Sequence, residues 1–263
     1  MKFDRLAEFF DRLEETSGRN QMIGILAQLF AETGAREVDK VVYLSQGRLL
    51  PAFESIEFGV GEALVRGAIA DAAEVEEETV RRRFADEGDY GTLAERLLRR
   101  HDSVGLEVTA VYQALDAVAR AGGKGGQQKK RDLVVRLVKQ LGPREAKHAV
   151  RVLLGRLRLG IGDPTVMEGL SAAKAGSKAD RKPLERAYNL CSDLGLVART
   201  YLAKGAKGLA AIHVEAGKPV RPALCERVTS PEELIERLGR CAVEPKIDGL
   251  RCQVHKVGDD VHA

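Results

Sequence analysis

The sequence predicts a mainly α-helical protein: an all-helical domain over residues 1–212, followed over residues 213–263 by the first, incomplete part of an α+β domain. Two observations predict this division. Apolar residues recur at the spacing of amphipathic helices through most of the first 212 residues. After Lys207 the pattern changes to short apolar stretches separated by prolines and glycines, which is typical of strands and turns.

The first half of the chain contains seven apolar segments. The third of these, residues 38–44, is short enough to form either a helix or a strand. The other six predict helices over residues 3–13, 20–30, 61–70, 74–84, 92–100 and 108–121.

Glycine and proline mark the boundaries of the next helices. A glycine-rich loop at 122–126 precedes one helix, and Pro143 suits the first turn of another. Asp163 is a predicted N-cap, with Pro164 in the first helical position. The predicted helices span residues 127–141, 144–159, 164–173, 183–194 and 196–204.

The C-terminal part reads as a helix followed by a hairpin. Ser230 is a predicted N-cap for a helix over 230–240. Strands are predicted over 242–247 and 250–257, because Asp248-Gly249 between them is a strong two-residue turn signal. A two-stranded hairpin is marginal alone, so we expect the chain to be a fragment cut inside its second domain.

Composition narrows the compartment and the class of protein. No run of 18 apolar residues occurs, which excludes a membrane span, and Met1-Lys2-Phe3-Asp4 does not open a signal peptide. The four cysteines lack metal-ligand spacing and read as reduced thiols. We therefore expect a cytoplasmic protein, and a monomer.

Charge is distributed unevenly along the chain. Residues 124–207 carry 19 Lys and Arg against 7 Asp and Glu, although the whole chain has a net charge of only +3. A surplus of this size predicts a surface that binds phosphates. The alternative is a solvated helical surface without a ligand.

A second glycine pair predicts where those phosphates bind. Backbone N–H groups at Gly160 and Gly162 can approach a phosphate because no Cβ intervenes, and the helix that follows adds a favourable dipole. Arg156 and Arg158 flank this loop. The alternative is a helix C-cap with two glycines. Around the first glycine loop, the equivalent candidates are Lys124, Lys129 and Lys130.

The segment 244–251, Glu-Pro-Lys-Ile-Asp-Gly-Leu-Arg, has the features of a nucleotide site. In the predicted hairpin, Glu244 and Lys246 share one face and Lys246 lies opposite Arg251. A neighbouring cation disfavours the ammonium form of Lys246 and frees its amine to act as a nucleophile. Arg251 can hold phosphate oxygens in a bidentate fork. The alternative is a surface hairpin with mixed charges.

The pattern Glu-x-Lys-x-Asp-Gly-x-Arg resembles the nucleotide-attachment motif of ATP-dependent DNA ligases and mRNA capping enzymes. Three further stretches resemble the archaeal ATP-dependent DNA ligases, and they occur in the same order. They are the helical hairpin at 3–30, the run at 145–162, and the proline-punctuated segment at 217–224, where Ala223 replaces the Met of many relatives.

This resemblance implies a helical DNA-binding domain followed by the start of a nucleotidyltransferase (adenylation) domain. It implies that Lys246 carries AMP, that Glu244 accepts a hydrogen bond from adenine, and that Arg251 contacts the ribose. It further implies ATP and Mg²⁺ as cofactors and nicked duplex DNA as the substrate, in replication, repair and recombination, and it is compatible with a sliding clamp as partner. The nucleotide donor (ATP, NAD or ADP) and the metal ligands stay open.

Two other functions remain. One is a non-catalytic module that binds nicked or intact duplex DNA. The other is an RNA ligase or a capping-type guanylyltransferase, against which the large basic helical domain argues. From its incomplete second domain, we expect the chain alone to bind DNA without sealing it.

Overall fold

The computed structural model describes residues 1–54, 56–222, 226–245 and 247–262, and the structural statements below refer to these residues. The helices are α1 (Phe3–Glu14), α2 (Arg19–Thr33), α3 (Val38–Ser45), α4 (Glu62–Ala73), α5 (Glu77–Glu87), α6 (Tyr90–Leu97), α7 (Val108–Arg120), α8 (Gly126–Val138), α9 (Pro143–Leu153), α10 (Asp163–Ala175), α11 (Arg181–Cys191), α12 (Leu194–Leu209) and α13 (Pro231–Leu238). The strands are β1 (His255–Val257) and β2 (Asp260–His262).

The prediction of a mainly α-helical fold is confirmed. Each helix predicted from apolar spacing is present, and residues 38–45, which fitted a helix or a strand, form a helix. The amphipathic faces meet in one hydrophobic core whose buried members run from Phe3 to Leu209. None of the helices in the described ranges is both long and apolar enough to cross a bilayer.

Helices α2 and α10 pack along each other extensively, and a glycine permits their approach. A Cβ added to Gly169 of α10 would lie 2.6 Å from the Cβ of Leu26 on α2. Helix α9 packs against α6 and α1, α8 against α4 and α7, and α12 against α3 and α11. The chain therefore returns repeatedly to its N-terminal helices, so that residues far apart in sequence become neighbours.

The predicted end of the helix at Leu159 is wrong, because α9 ends at Leu153. Gly155 adopts a left-handed conformation (φ 64°). Its N–H donates to the Val152 carbonyl, and that of Arg156 donates to the Arg151 carbonyl. This is the Schellman arrangement that terminates helices at glycine. Residues 156–162 consequently form an extended loop instead of a further helical turn.

The predicted N-cap at Asp163 is also wrong by one residue. Gly162 occupies the N-cap position of α10, and Asp163 is the first helical residue. The Asp163 carboxylate accepts hydrogen bonds from two other elements, described below. The predicted N-cap at Ser230 is confirmed, because its hydroxyl accepts from the backbone N–H of Glu233 at 3.2 Å.

The predicted hairpin at Asp248-Gly249 is wrong. Residues 241–245 and 247–254 adopt no strand, and the antiparallel pair β1–β2 turns at Gly258-Asp259. A hairpin needs an apolar face that is covered, whereas the side chains of Val243 and Leu250 are 84% and 98% exposed. Lys246, and with it the predicted pairing of Lys246 with Arg251, lies outside the described residues.

Candidate nucleic-acid interface and nucleotide site

The cations of residues 124–207 differ in their contacts in a way that the sequence alone does not show. Nine of the 19 form ion pairs, seven of them with carboxylates from residues 1–123. These nine are Arg131, Lys139, Arg144, Lys147, Arg151, Arg156, Lys178, Arg181 and Arg199. Much of the local charge surplus is therefore neutralised by the acidic first half of the chain.

Arg151 is the most deeply buried of these cations, with 2% of its residue surface exposed. Its guanidinium donates to both carboxylate oxygens of Glu14, at 2.8 and 2.9 Å, and twice to Asp89, at 2.7 and 2.9 Å. Burial acts to raise the pKa of Asp89, but hydrogen bonds from Arg151 and Thr92 outweigh it and lower the pKa to about 2. Arg151 therefore ties α9 to α1 and to the start of α6.

Lys147 and His148 extend this network to Asp11. The Lys147 ammonium lies 2.7 Å from Asp11 and 2.8 Å from Glu14, and His148 Nε2 lies 2.8 Å from Asp11. Burial lowers the pKa of His148, and the contact with Asp11 offsets this only in part. These residues belong to the run at 145–162 that resembles DNA ligases. The structure assigns their side chains to internal packing rather than to an exposed surface.

Seven cations of the same segment are exposed and form no ion pair or side-chain hydrogen bond within the described part of the chain. One precedes α8, two lie on it, and four lie on α11 and α12. They are Lys124, Lys129, Arg136, Lys182, Arg186, Lys204 and Lys207. Lys182 and Arg186 line a cavity of about 500 Å³ against the end of α12. These side chains remain available to phosphates.

Lys130 differs from its neighbours Lys124 and Lys129. It is 8% exposed, and its ammonium donates to the backbone carbonyl of Phe58. A side chain held in this way supports the turn that precedes α4, so the structure does not bring Lys130 to the exposed surface.

In the loop after α9, residues 156–160 alternate between exposed and buried positions. Leu157 and Leu159 are buried, at 9% and 3% exposure, whereas Arg156, Arg158 and Gly160 are exposed. The left-handed conformation of Arg158 (φ 59°) and Gly160 (φ 67°) maintains this course of the backbone. The loop therefore places two guanidinium groups and a glycine on one outer surface.

The two arginines of the loop each make one polar contact with another segment of the protein. Arg156 pairs with Glu62 at 2.7 Å, with 59% of its side chain exposed. Arg158 donates to the carbonyl of Gly88 at 3.2 Å. The N–H groups of Gly160 and Gly162 donate to no acceptor in the described ranges. The loop and the first turn of α10 thus offer the donors that an anion requires.

Asp163, at the start of α10, connects this loop to three other segments, and no pattern in the sequence predicts these contacts. Its carboxylate accepts from Gln46 Nε2 at 2.8 Å and from the Tyr188 hydroxyl at 2.8 Å. Arg221 lies 3.4 Å from the same carboxylate and stacks on the Tyr188 ring at 4.3 Å. Arg221 thus offsets the charge of Asp163, and Gln46 and Tyr188 satisfy its oxygens with hydrogen bonds.

The predicted nucleotide residues lie in the C-terminal part. Glu244 and Arg251 are exposed, and Lys246 lies outside the described residues. Arg251 lines a cavity of about 670 Å³ together with Phe53, Pro219 and Gln253, whereas Glu244 does not line it. Gln253 exchanges two hydrogen bonds with the backbone of Val220, at 2.8 and 2.6 Å.

The structure therefore does not assemble Glu244 and Arg251 into one pocket. Among the residues that it describes, no cluster of His, Cys, Asp and Glu side chains has the geometry of a metal site.

Comparison with known proteins gives a consistent family match. A family model described as "DNA ligase N terminus" matches residues 2–171. The chain is 42% identical over 261 residues to "Probable DNA ligase" of Dictyoglomus thermophilum, covering 99% of this chain and 45% of that protein. It is 42% identical over 274 residues to "DNA ligase 2" of Thermofilum pendens (99% and 46%) and 40% identical over 276 residues to "DNA ligase" of Sulfurisphaera tokodaii (100% and 46%). The chain thus spans less than half the length of these curated relatives.

Proposed function

Because the chain belongs to the DNA ligase family, we propose that it forms the DNA-binding part, and the start of the catalytic part, of an enzyme that seals nicks in duplex DNA. The observation that carries the DNA-binding proposal is the loop at 156–162, whose two arginines are exposed and whose Gly160 and Gly162 N–H groups find no acceptor among the described residues. The exposed cations of α8, α11 and α12 add to the same proposed footprint.

DNA recognition in this proposal acts through the phosphate backbone. Guanidinium groups at Arg156 and Arg158 clamp phosphate oxygens, and the start of α10 contributes its dipole. Aromatic residues make up only 5% of the chain, which disfavours binding by base stacking. We therefore expect little preference for base sequence.

The proposed chemistry is nucleotidyl transfer at Lys246. Its neutral amine attacks the α-phosphorus of ATP, the bond to the β-phosphate breaks, and pyrophosphate leaves as the amine loses a proton. The AMP then passes to a 5′-phosphate at the nick, and the 3′-hydroxyl displaces AMP to close the strand. Mg²⁺ would neutralise phosphate charge. In this proposal Glu244 binds adenine and Arg251 contacts the ribose.

The DNA-binding proposal is tested by measuring affinity for nicked duplex at several salt concentrations. Arg158→Ala should lower the slope of log affinity against log salt by about 0.9, equally on unrelated sequences, because one phosphate contact is lost. The matched control is Arg81→Ala, which removes an exposed arginine paired with Glu78 on α5. Salt-insensitive binding, or strong preference for one sequence, would contradict the proposal.

The catalytic proposal is tested in the full-length protein with labelled ATP. Mass spectrometry should find AMP on Lys246, and both Lys246→Ala and Lys246→Arg should lack the adduct, because arginine stays protonated and is not a nucleophile. Residues 1–263 alone should shift nicked duplex in a gel without joining it. An adduct on another lysine would overturn the assignment of Lys246. Sealing by residues 1–263 would overturn the expectation that this chain binds DNA without joining it.

A further inference from the structure

Four arginines converge on one cavity in the acidic half of the chain. Arg83 comes from α5, Arg96 from α6, and Arg99 and Arg100 from the segment that follows α6. The cavity has a volume of about 670 Å³, and Glu95, Leu97 and Pro143 complete its lining. We refer to this cavity as the arginine groove.

The charge of the arginine groove is largely uncompensated. Arg96 pairs with Glu87 of α5. In residues 1–54, 56–222, 226–245 and 247–262, no ion pair or hydrogen bond engages the side chains of Arg83, Arg99 and Arg100, and all three are exposed. Like charges gathered around one concave surface repel each other, and a bound anion removes that repulsion. Glu95 is the single carboxylate in the lining, so the net charge of the groove is positive.

The groove adjoins the loop already proposed to bind DNA. Arg158 of that loop donates to the carbonyl of Gly88, the C-cap residue that follows α5. Glu87, one residue earlier, holds Arg96 of the groove. Glu87, the last residue of α5, and Gly88, which follows it, therefore connect the two basic surfaces.

We propose that the arginine groove binds the phosphodiester backbone of duplex DNA next to the segment held by the loop at 156–162. This inference rests on the proposed function. Guanidinium forks match phosphate oxygens in geometry and in charge, and phosphates recur along each strand at short intervals. A ligand that already contacts Arg158 reaches the groove by continuing along its own backbone. An acidic peptide from a partner shares the charge but lacks this continuity.

The test compares Arg83→Ala/Arg100→Ala with Arg81→Ala and with Arg158→Ala in salt-dependent binding to nicked duplex. Arg83 and Arg100 are exposed, and unchanged circular dichroism verifies folding. The groove variant should lower the salt slope by about 1.8, because two phosphate contacts are lost, while Arg81→Ala should leave it unchanged. Arg83→Lys/Arg100→Lys should restore most of the slope, since lysine keeps the charge.

The outcomes separate this inference from the proposed function. Loss of slope in Arg158→Ala together with wild-type binding by the groove variant would overturn the inference and leave the proposed function in place. Salt-insensitive binding by the wild-type chain would overturn the proposed function as well. If the groove variant loses binding to a glutamate-rich peptide and keeps its DNA affinity, the groove takes an acidic partner and the inference is wrong.

Discussion

Replacing Arg151 with alanine should lower the free energy of unfolding by about 3–5 kcal/mol, the usual cost of removing one partner from a buried ion pair. Arg151 is 2% exposed and makes four hydrogen bonds of 2.7–2.9 Å to Glu14 and Asp89. Its removal leaves the 6% exposed Asp89 with a charge and no cation. Because Asp89 also caps α6 through Thr92, the damage reaches the start of that helix.

The expected loss of stability arises mainly from the buried charge left unpaired on Asp89 and less from lost packing. Arg151→Met retains most of the apolar volume, so it should cost nearly as much as Arg151→Ala. Adding Asp89→Asn removes one stranded charge and keeps a residue that can cap the helix, and it should recover part of the loss. Glu14 stays paired with Lys147 at 2.8 Å in each variant.

Urea denaturation followed by circular dichroism measures these differences. The control is Arg81→Ala, where the ion pair with Glu78 is exposed and the expected change is within about 0.5 kcal/mol. A loss below about 1 kcal/mol for Arg151→Ala would refute the reasoning, because hydrogen bonds to buried charges are each worth more than that. A larger loss of stability in Arg151→Met/Asp89→Asn than in Arg151→Met would also refute the reasoning.

Further expectations concern packing and pH. Gly169→Ala should destabilise the fold by about 1–3 kcal/mol, because the new Cβ would lie 2.6 Å from the Cβ of Leu26. Gly24→Ala on α2 should stabilise the fold by about 1 kcal/mol, because a Cβ there has no atom within 4 Å. Urea denaturation measures both changes. Burial lowers the pKa of His148, so the free energy of unfolding should fall as the pH drops below about 6.5. His148→Gln should remove this pH-dependent loss. A second loss should follow between about pH 4 and pH 2, because the pKa of Asp89 is lowered from 3.8 to about 2 in the folded protein; pH-dependent melting that is flat in this window would contradict it.

The helices could be predicted from sequence because apolar periodicity reports directly on burial. Each predicted helix lies where spacing indicated a face for the core, from Phe3 onward. The errors fall where local signals compete. Gly155 ends α9 although the apolar pattern continues to Leu159, since Leu157 and Leu159 are buried from an extended loop. Asp248-Gly249 is a turn signal without the covered face that a hairpin requires.

The candidate DNA surface could be predicted only in part, because net charge along a sequence does not show which charges meet. Arg151 and Lys147 contribute to the basic surplus of residues 124–207, yet both are held by carboxylates more than 50 residues away. Lys130 reads like Lys129 and is buried. Conversely, the arginines of the arginine groove lie within residues 1–123, where most of the acidic residues of the chain occur. A net charge summed over that segment therefore does not reveal a basic surface.

The N-terminus of α10 connects the proposed DNA surface to the segment that leads into the C-terminal part. Gly160 and Gly162 of the proposed DNA surface directly precede Asp163, and Arg221 lies 3.4 Å from its carboxylate. Arg221 also donates through its backbone N–H to Asn189 on α11, at 2.9 Å. A phosphate bound at the loop would compete electrostatically with Asp163 for the same cations and donors. Because Arg221 offsets the charge of Asp163, and Gln46 and Tyr188 donate hydrogen bonds to it, anion binding at this helix start is compatible with a carboxylate in its first turn.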